Sequence, residues 1–393
     1  MKNNRTFLEK LLDGAEVEWK PLGEVTAYEQ PTKYLVSSTV YSDEFSTPVL
    51  TAGKTFILGY TDEEEGIYFA SKSPVIIFDD FTTANKWVDF DFKAKSSAMK
   101  MITSKDENIT LLKYIYYWLN TLPNSQLDSD HKRQWISNYA NKLIPIPPLS
   151  VQTEIVKTLD ALTALTSELT SELTSELILR RKQYEYYREK LLSEEELGKV
   201  GFEWKTIDEI SKKISSGGTP TTSNNGYYDN GTIPWLRTQE VDFKEIWDTN
   251  IKITEDGLNN SSAKWIPANC VIVAMYGATV GKTAINKIRL TTNQACANIE
   301  INDKLACYRY IFHYLTSKYE YIKSLGSGSQ TNINAQIIKK LKVPVPPIEE
   351  QQRIVSILDK FEALTNSITE GLPLAIEQSQ KRYEYYRELL LSF

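Results

Sequence analysis

The chain has 393 residues, 41% hydrophobic and 24% charged, with a formal net charge of −6, enough for two or three soluble domains. It offers no apolar run of the roughly 20 residues a membrane span needs, and no secretory core follows Met1, so a cytoplasmic protein without membrane contact is expected. Cys270, Cys296 and Cys307 are odd in number and lack CxxC spacing, and His131 and His313 lack paired ligand spacing, which argues for reduced thiols and against a zinc or histidine-based centre.

In chain order, residues 1–16 read as a short helical segment containing Glu9-Lys10-Leu11-Leu12, and Val17-Glu18-Trp19-Lys20 follows. Residues 17–144 alternate β-rich runs with turns. Strands are expected at Lys33–Val40, Thr55–Tyr60, Gly66–Ala70, Val75–Phe78 and along the Asp/Phe alternation of Val88–Lys93, then an aromatic helix at Ile109–Leu122.

The pattern changes at Pro145, Pro147 and Pro148. Beyond them Val151, Ile155, Leu159, Leu162, Leu165, Leu169, Leu173 and Leu177, then Tyr184, Tyr187 and Leu191, keep the three-and-four spacing of one helix stripe. A helix from about Ser150 to Glu195 would be on the order of 70 Å long. No small domain buries such a stripe, so a coiled-coil partner is required. Within it, Thr166–Leu177 spells TSEL three times. Each unit adds ~6 Å and overshoots one turn by ~40°. That is either plain surface helix or a ruler whose rotation is close to the ~34° twist of one base pair.

Residues 201–343 open like the first insert: Glu189–Leu192 reads EKLL, and Phe202-Glu203-Trp204-Lys205 follows. Then come the loop Ser215–Pro220, strands at Ile233–Arg237 and Cys270–Tyr276, a helix at Tyr308–Lys323 and a polar loop at Gly326–Asn334. Residues 344–393 repeat 145 onward at an offset of 199 with about half of the positions identical: Gln351 matches Gln152, Asp359 matches Asp160, and Tyr383–Glu388 matches Tyr184–Glu189. Gly371-Leu372-Pro373 should kink or restart this second helix. The residues before the glutamine differ, Ser150-Val151 in one copy and Glu349-Glu350 in the other. Two like helical frames, 145–200 and 344–393, therefore hold two unlike α/β inserts. The expected fold is α+β, with two α/β domains separated by two long antiparallel helices in a pseudo-twofold repeat.

Charge is uneven: Lys+Arg against Asp+Glu is 12 to 16 over residues 20–140 and 16 to 12 over 204–340. Nucleic-acid binding would thus come from local surfaces, not a basic tail. The acidic first insert also leaves room for a protein-binding scaffold. Two chemical motifs are incomplete. Gly277 and Gly281 enclose three residues before Lys282-Thr283, where a phosphate-binding P-loop needs four. Asp79, Asp91 and Lys93 superficially fit a Mg²⁺ nuclease. The Asn/Asp-Pro-Pro-aromatic motif of amino-methyltransferases is absent. Tyr184, Tyr186, Tyr187 and Arg188, repeated as Tyr383, Tyr385, Tyr386 and Arg387, cover more than one helix face with residue types favoured at interfaces.

The doubled frame PxPP…EQ…IV..LD…YEYYRE resembles the specificity subunit of type I restriction-modification enzymes. So do the opening EKLLDGAEVEWKPLGEV and the ordered SGGTP, IPWLRT, YGATVGKTAI, TNQACANI and GSGSQTNINAQIIKKLKVPVPP, across essentially the whole chain. The resemblance implies two target-recognition domains, each reading half of a bipartite duplex-DNA site, with a four-residue repeat that sets the spacer in one branch of the family. It implies a non-catalytic chain with no cofactor of its own. Two methyltransferase subunits would supply S-adenosylmethionine and catalysis on adenine, each docked on one tyrosine-bearing frame, and restriction/translocase subunits would complete the enzyme. The first insert departs by lacking an SGGTP loop. Loop position and donor chemistry select Gly218, Thr219, Arg237, Thr279, Lys282, Gln330 and Asn332 as DNA contacts in the second domain, and Lys33, Lys54, Thr55, Thr82 and Thr83 in the first.

Overall fold

The computed structural model describes residues 6–51, 55–123, 133–326, 332–366 and 371–393. The chain forms two compact units, Met1–Glu172 with Ile376–Phe393, and Leu173–Ala375. Among the described residues no helix is long and apolar enough to cross a membrane.

Each insert begins and ends on one two-stranded ribbon. Glu18–Pro21 pairs antiparallel with Leu143–Ile146, placing Trp19 opposite Pro145. Glu203–Thr206 pairs with Lys342–Val345, placing Trp204 opposite Pro344. The recurring EWK and PxP segments are therefore two edges of a clasp that returns the chain to its entry point and passes it to a helix. Proline is tolerated because each of its strands has a free edge.

In the first insert a four-stranded sheet runs in the order Thr26–Glu29, Met99–Ser104, Val75–Asp79, Asn85–Val88. All five residues of Val75–Asp79 are buried, which its unbroken apolar run anticipates. Helix Leu112–Leu119 shares a core with the sheet through Tyr114, Ile115, Ile76, Phe78 and Ile102. A second sheet has the order Ile57–Thr61, Thr47–Leu50, Lys93–Ala94. Three expected strands are corrected. Lys33–Val40 is no strand: Pro31–Tyr34 is a 3-10 turn and Leu35 makes a single bridge to Ala94, because proline presets the turn dihedral. Gly66–Ala70 contributes one bridge, Tyr68 to Phe92. Val88–Lys93 breaks after Val88, leaving Asp89 and Phe90 exposed while Lys93–Ala94 joins the other sheet.

The second insert has a five-stranded sheet, ordered Ser211–Ser216, Cys296–Ile301, Val271–Ala274, Thr283–Asn286, Lys244–Ile246. A four-stranded sheet is ordered Lys252–Ile253, Ile233–Leu236, Leu290–Thr292, Trp265–Ile266. The expected helix over 308–323 is two, Tyr308–Ser317 and Tyr319–Ser324, broken at Lys318. The three cysteines are free thiols, and burial pushes that of Cys270 up to about 12.

The central helix is Leu149–Leu191, 43 residues without a break, or about 65 Å by the helical rise. It stops four residues short of expectation, and Ser193 caps a new short helix, Glu194–Gly198. Its buried positions are Val151, Gln152, Ile155 and Leu159. The matching frame is Ile348–Asn366 followed by Leu372–Leu391. Gly371, at φ +84°, precedes the restart; a Cβ there would stand 2.6 Å from the Ala363 carbonyl. Pro373 sits in the first turn of the new helix, where its missing N–H has no bond to lose. In the second unit Tyr187 stacks on Phe361 at 5.5 Å, while the charge of Arg353 reaches Glu196. Numbers fall from Phe361 to Arg353 as they rise from Tyr187 to Glu196, so the second frame runs antiparallel to the end of the central helix and the short helix after it. In the first unit Thr163 hydrogen-bonds Tyr383 at 3.1 Å.

The repeated glutamine fastens frame to insert in both units. Gln152 accepts from the Leu111 N–H and donates to the Ile109 and Pro147 carbonyls. Gln351 does the same with Cys307, Leu305 and Pro346. Tyr114 donates to the Pro145 carbonyl at 2.8 Å and Tyr310 to that of Pro344 at 2.9 Å.

Candidate nucleic-acid interface

Backbone hydrogen bonds in the second insert draw separate loops together where strands end. Gly218 N donates to Thr292 O at 2.9 Å, Asn293 N to Leu236 O at 2.9 Å, Met275 N to Ala295 O at 2.8 Å, and Ile333 N to Met275 O at 3.0 Å. The Thr279 hydroxyl donates to Thr238 O at 2.7 Å. These links gather Gly218, Thr219, Arg237, Thr279, Lys282 and Asn332, six of the seven expected contacts of this insert, into one loop cluster.

The SGGTP loop owes its glycines to close approach. A Cβ on Gly217 would lie 1.8 Å from Thr292 O, and one on Gly218 2.4 Å from the Ser262 carbonyl carbon. Trp235 of IPWLRT donates its indole N–H to Gly218 O at 2.9 Å. Gly218 is buried and so shapes the loop, whereas Thr219 is exposed. The Thr219 hydroxyl donates to Gln294 Oε1. Gln294 is exposed in the turn between Leu290–Thr292 and Cys296–Ile301, strands that are almost wholly buried. Residue choice by loop composition missed it, although it lies within the TNQACANI run. Exposed Tyr276, beside the Gly277 turn, was missed as well.

Two polar atoms of the cluster are buried without a partner among the described residues: Arg237 Nε, a donor, and Asn332 Oδ1, an acceptor. Buried polar groups are normally satisfied, so these two atoms mark a cluster whose internal hydrogen bonding is incomplete. Lys282 instead has a partner, Asp242 Oδ1 at 2.6 Å, and sits 5.6 Å from the Phe243 ring centroid. The Gly277–Gly281 segment is a tight turn with positive φ at both ends, +85° and +82°, closed by Gly281 N donating to Ala274 O.

In the first insert Lys33, Thr55 and Thr82 stand exposed on three different loops. Lys33 pairs with Glu29 at 2.8 Å. Thr83 is buried at φ +62°, a turn residue with its N–H bonded to Asp79 O. Lys54 and Gln330 lie outside the described residues, as does His131. The nuclease pattern does not converge. Asp79 caps the Phe81–Thr82 turn, Asp91 takes the Ser71 N–H and hydroxyl, and Lys93 pairs with Glu63 at 2.7 Å.

One group with metal-ligand chemistry occurs among the described residues: His313, Asp359 and Glu362. A cation already occupies it. Arg309 bonds Asp359 at 2.7 Å and Glu362 at 3.0 Å, and also reaches Glu245. His313 Nε2 lies 2.8 Å from Asp359. Burial pushes the Asp359 carboxyl up, but hydrogen bonds from His313 and Arg309 outweigh it and hold it below the usual range. Burial dominates at Glu362 and raises it. The first unit has the counterpart, where Asp160 meets Tyr117 and, at 3.6 Å, Lys113. The repeated aspartate is thus a frame-to-insert junction.

The tyrosine clusters divide the same way in both copies. Tyr184 and Tyr383 turn inward, toward His313 and Thr163 respectively, and burial pushes the Tyr184 hydroxyl up to about 12. Arg188 lies over the Tyr184 ring and Arg387 over that of Tyr383, each with Nε buried and unpartnered among the described residues. Tyr186 and Tyr385 point outward, 58% and 61% exposed, with Tyr187 and Tyr386 beside them.

A family model described as the type I restriction modification DNA specificity domain matches residues 15–178 and 199–378. The specificity subunit of the Escherichia coli type I restriction enzyme EcoR124I/EcoR124II is 54% identical, over 99% of this chain and 97% of its own length. A putative type I restriction enzyme specificity subunit of Haemophilus influenzae is 38% identical over the full length of both. Among solved structures, a chain from work on assembly and conformational transition of the type I R-M system superposes with TM-score 0.63 at 18% identity, covering 95% of this chain and 97% of that one. The HsdS subunit of Thermoanaerobacter tengcongensis gives TM-score 0.51 at 18% identity, covering 96% and 95%. At such identities the likeness is one of fold.

Proposed function

The chain belongs to the type I restriction-modification specificity-subunit family, and from that premise we propose that it is the non-catalytic DNA reader of its complex, each insert recognising one half of a bipartite duplex site. The observation that carries this reading is the loop cluster of the second insert. There the loops of Arg237, Thr279 and Lys282 meet exposed Thr219, Gln294 and Tyr276. Base edges offer both donors and acceptors, and phosphates take charge-assisted contacts. Arg237, Thr279, Gln294 and Asn332 would make contacts at or near base edges, and Lys282 would hold a phosphate. Lys33, Lys54, Thr55 and Thr82 are the proposed contacts of the first insert, and Gln330 belongs with Asn332.

The exposed Tyr186–Tyr187 and Tyr385–Tyr386 pairs would each dock one methyltransferase subunit, with Arg188 and Arg387 packed on the neighbouring Tyr184 and Tyr383. S-adenosylmethionine, base flipping and methyl transfer would belong to those subunits, and restriction/translocase subunits would complete the assembly in the cytoplasm. The scattered partners of Asp79, Asp91 and Lys93 support a non-catalytic chain over a nuclease. The test is to co-express the chain with the methyltransferase encoded beside it and measure duplex binding and methylation. A stable complex that methylates one split sequence is expected. An assembled complex without sequence preference, or metal-dependent cleavage by the isolated chain, would overturn the reading.

A further inference from the structure

We propose that a groove on the second insert docks an acidic, apolar-anchored segment of a protein partner, and does so once per chain. The groove is a cavity of about 830 Å³. Its floor is aliphatic, with Leu315, Ile322, Ile337 and Leu341. Its wall carries Trp204 and Tyr321, 44% and 58% exposed. Monomeric surfaces seldom leave large aromatics exposed over an aliphatic floor without a binding role.

Charge selects the occupant. The charged lining residues are Lys318, Lys340 and Lys342, with no acid among them. None of the three has an ion pair among the described residues; Lys318 only approaches the Tyr314 ring, at 5.7 Å. Acids act on the groove from outside the lining, Glu194 on Tyr314 and Glu209 under the influence of Lys342. Three cations without an ion pair among the described residues, around an aliphatic floor, suit carboxylates flanking buried aliphatic or aromatic side chains. A sugar-phosphate backbone would satisfy the lysines and leave the floor wet.

The groove also breaks the internal repeat. Tyr310 and Tyr114 hold equivalent prolines, so the insert helices correspond at an offset of 196, which sets Leu122 at the place of Lys318. At the ribbon offset of 199, Asn141 and Leu143 stand where Lys340 and Lys342 do. The basic rim belongs to one half only, unlike the twin tyrosine pairs. Its partner segment therefore binds singly.

The inference goes beyond base reading and rests on the proposed assembly only for its partner. The test places a photoreactive group in the groove, Tyr321→p-benzoylphenylalanine, in the full chain co-expressed with the methyltransferase and restriction subunits encoded beside it. Cross-linked peptides are then sequenced by mass spectrometry, and duplex binding is measured on the same preparation. One cross-linked protein segment is expected, rich in Asp and Glu with interspersed Leu, Ile or Phe. The paired change Lys318→Glu and Lys340→Glu should cut its yield at least tenfold and leave duplex binding and the melting temperature unchanged. Cross-links to DNA, cross-links to a neutral or basic segment, insensitivity to charge reversal, or no cross-link in a complex that binds duplex would each overturn it. Loss of duplex binding with the cross-link intact would count against the DNA reading and leave this one standing.

Discussion

Thr219 and Gln294 show how one hydrogen bond can choose a base. The Thr219 hydroxyl takes one acceptor position on the amide oxygen of Gln294 and leaves its NH2 as a donor. A donor reads acceptors, of which guanine O6 and N7 are the densest set in the major groove. Gln294→Ala should therefore relax one base position of the half-site by about 1–3 kcal/mol of discrimination, visible as added methylated sequences differing at one position; an unchanged methylation pattern would remove Gln294 from the readers. Lys282 is proposed for the other class of contact, to phosphate. Lys282→Ala should weaken binding to every sequence alike and reduce the salt dependence by roughly one phosphate's share; altered base preference would contradict the phosphate assignment. Neither the Asp242 partner of Lys282 nor the role of Gln294 was legible in the sequence, because both depend on loops brought together from 40 and 75 residues away.

At the scale of elements, the frames were legible and the first insert was less so. Repetition revealed the struts, since the PxP ribbon, Gln152 and Gln351, Asp160 and Asp359, and the tyrosine pairs each perform one packing task twice. The inserts occur once each, and strand formation there follows burial and pairing more than local composition. Hence Lys33–Val40, rich in β-formers, lies beyond a proline turn with a single bridge, while the short Thr47–Leu50 is a true central strand of its sheet. The twin glutamines allow a direct check of the frame argument. Gln351→Leu leaves the Cys307 N–H and the Leu305 and Pro346 carbonyls without the partner they now share. A loss of about 2–4 kcal/mol is expected, read as a melting temperature lower by several degrees in calorimetry of the full chain. Gln351→Glu, which keeps the acceptor, should fall between. Equal stability for all three would mean that the glutamine is not an anchor.

For the whole molecule, continuity matters most. The boundary between the compact units, Glu172 to Leu173, falls inside the TSEL repeat. That stretch of the helix lies beyond its last buried residue, Leu159, and is not consumed by packing of an insert core. We propose that a strut of this kind can change length without disturbing either insert core. Each four-residue unit carries ~6 Å of rise and ~40° of excess rotation, and the rotation is close to the twist of one base pair, about 34°. The most direct measurement is to delete one TSEL unit and map methylated bases genome-wide in cells carrying the complete set of subunits. The account predicts unchanged half-site sequences with the gap between them altered by about one to two base pairs. An unaltered gap, or new half-site sequences, would contradict it.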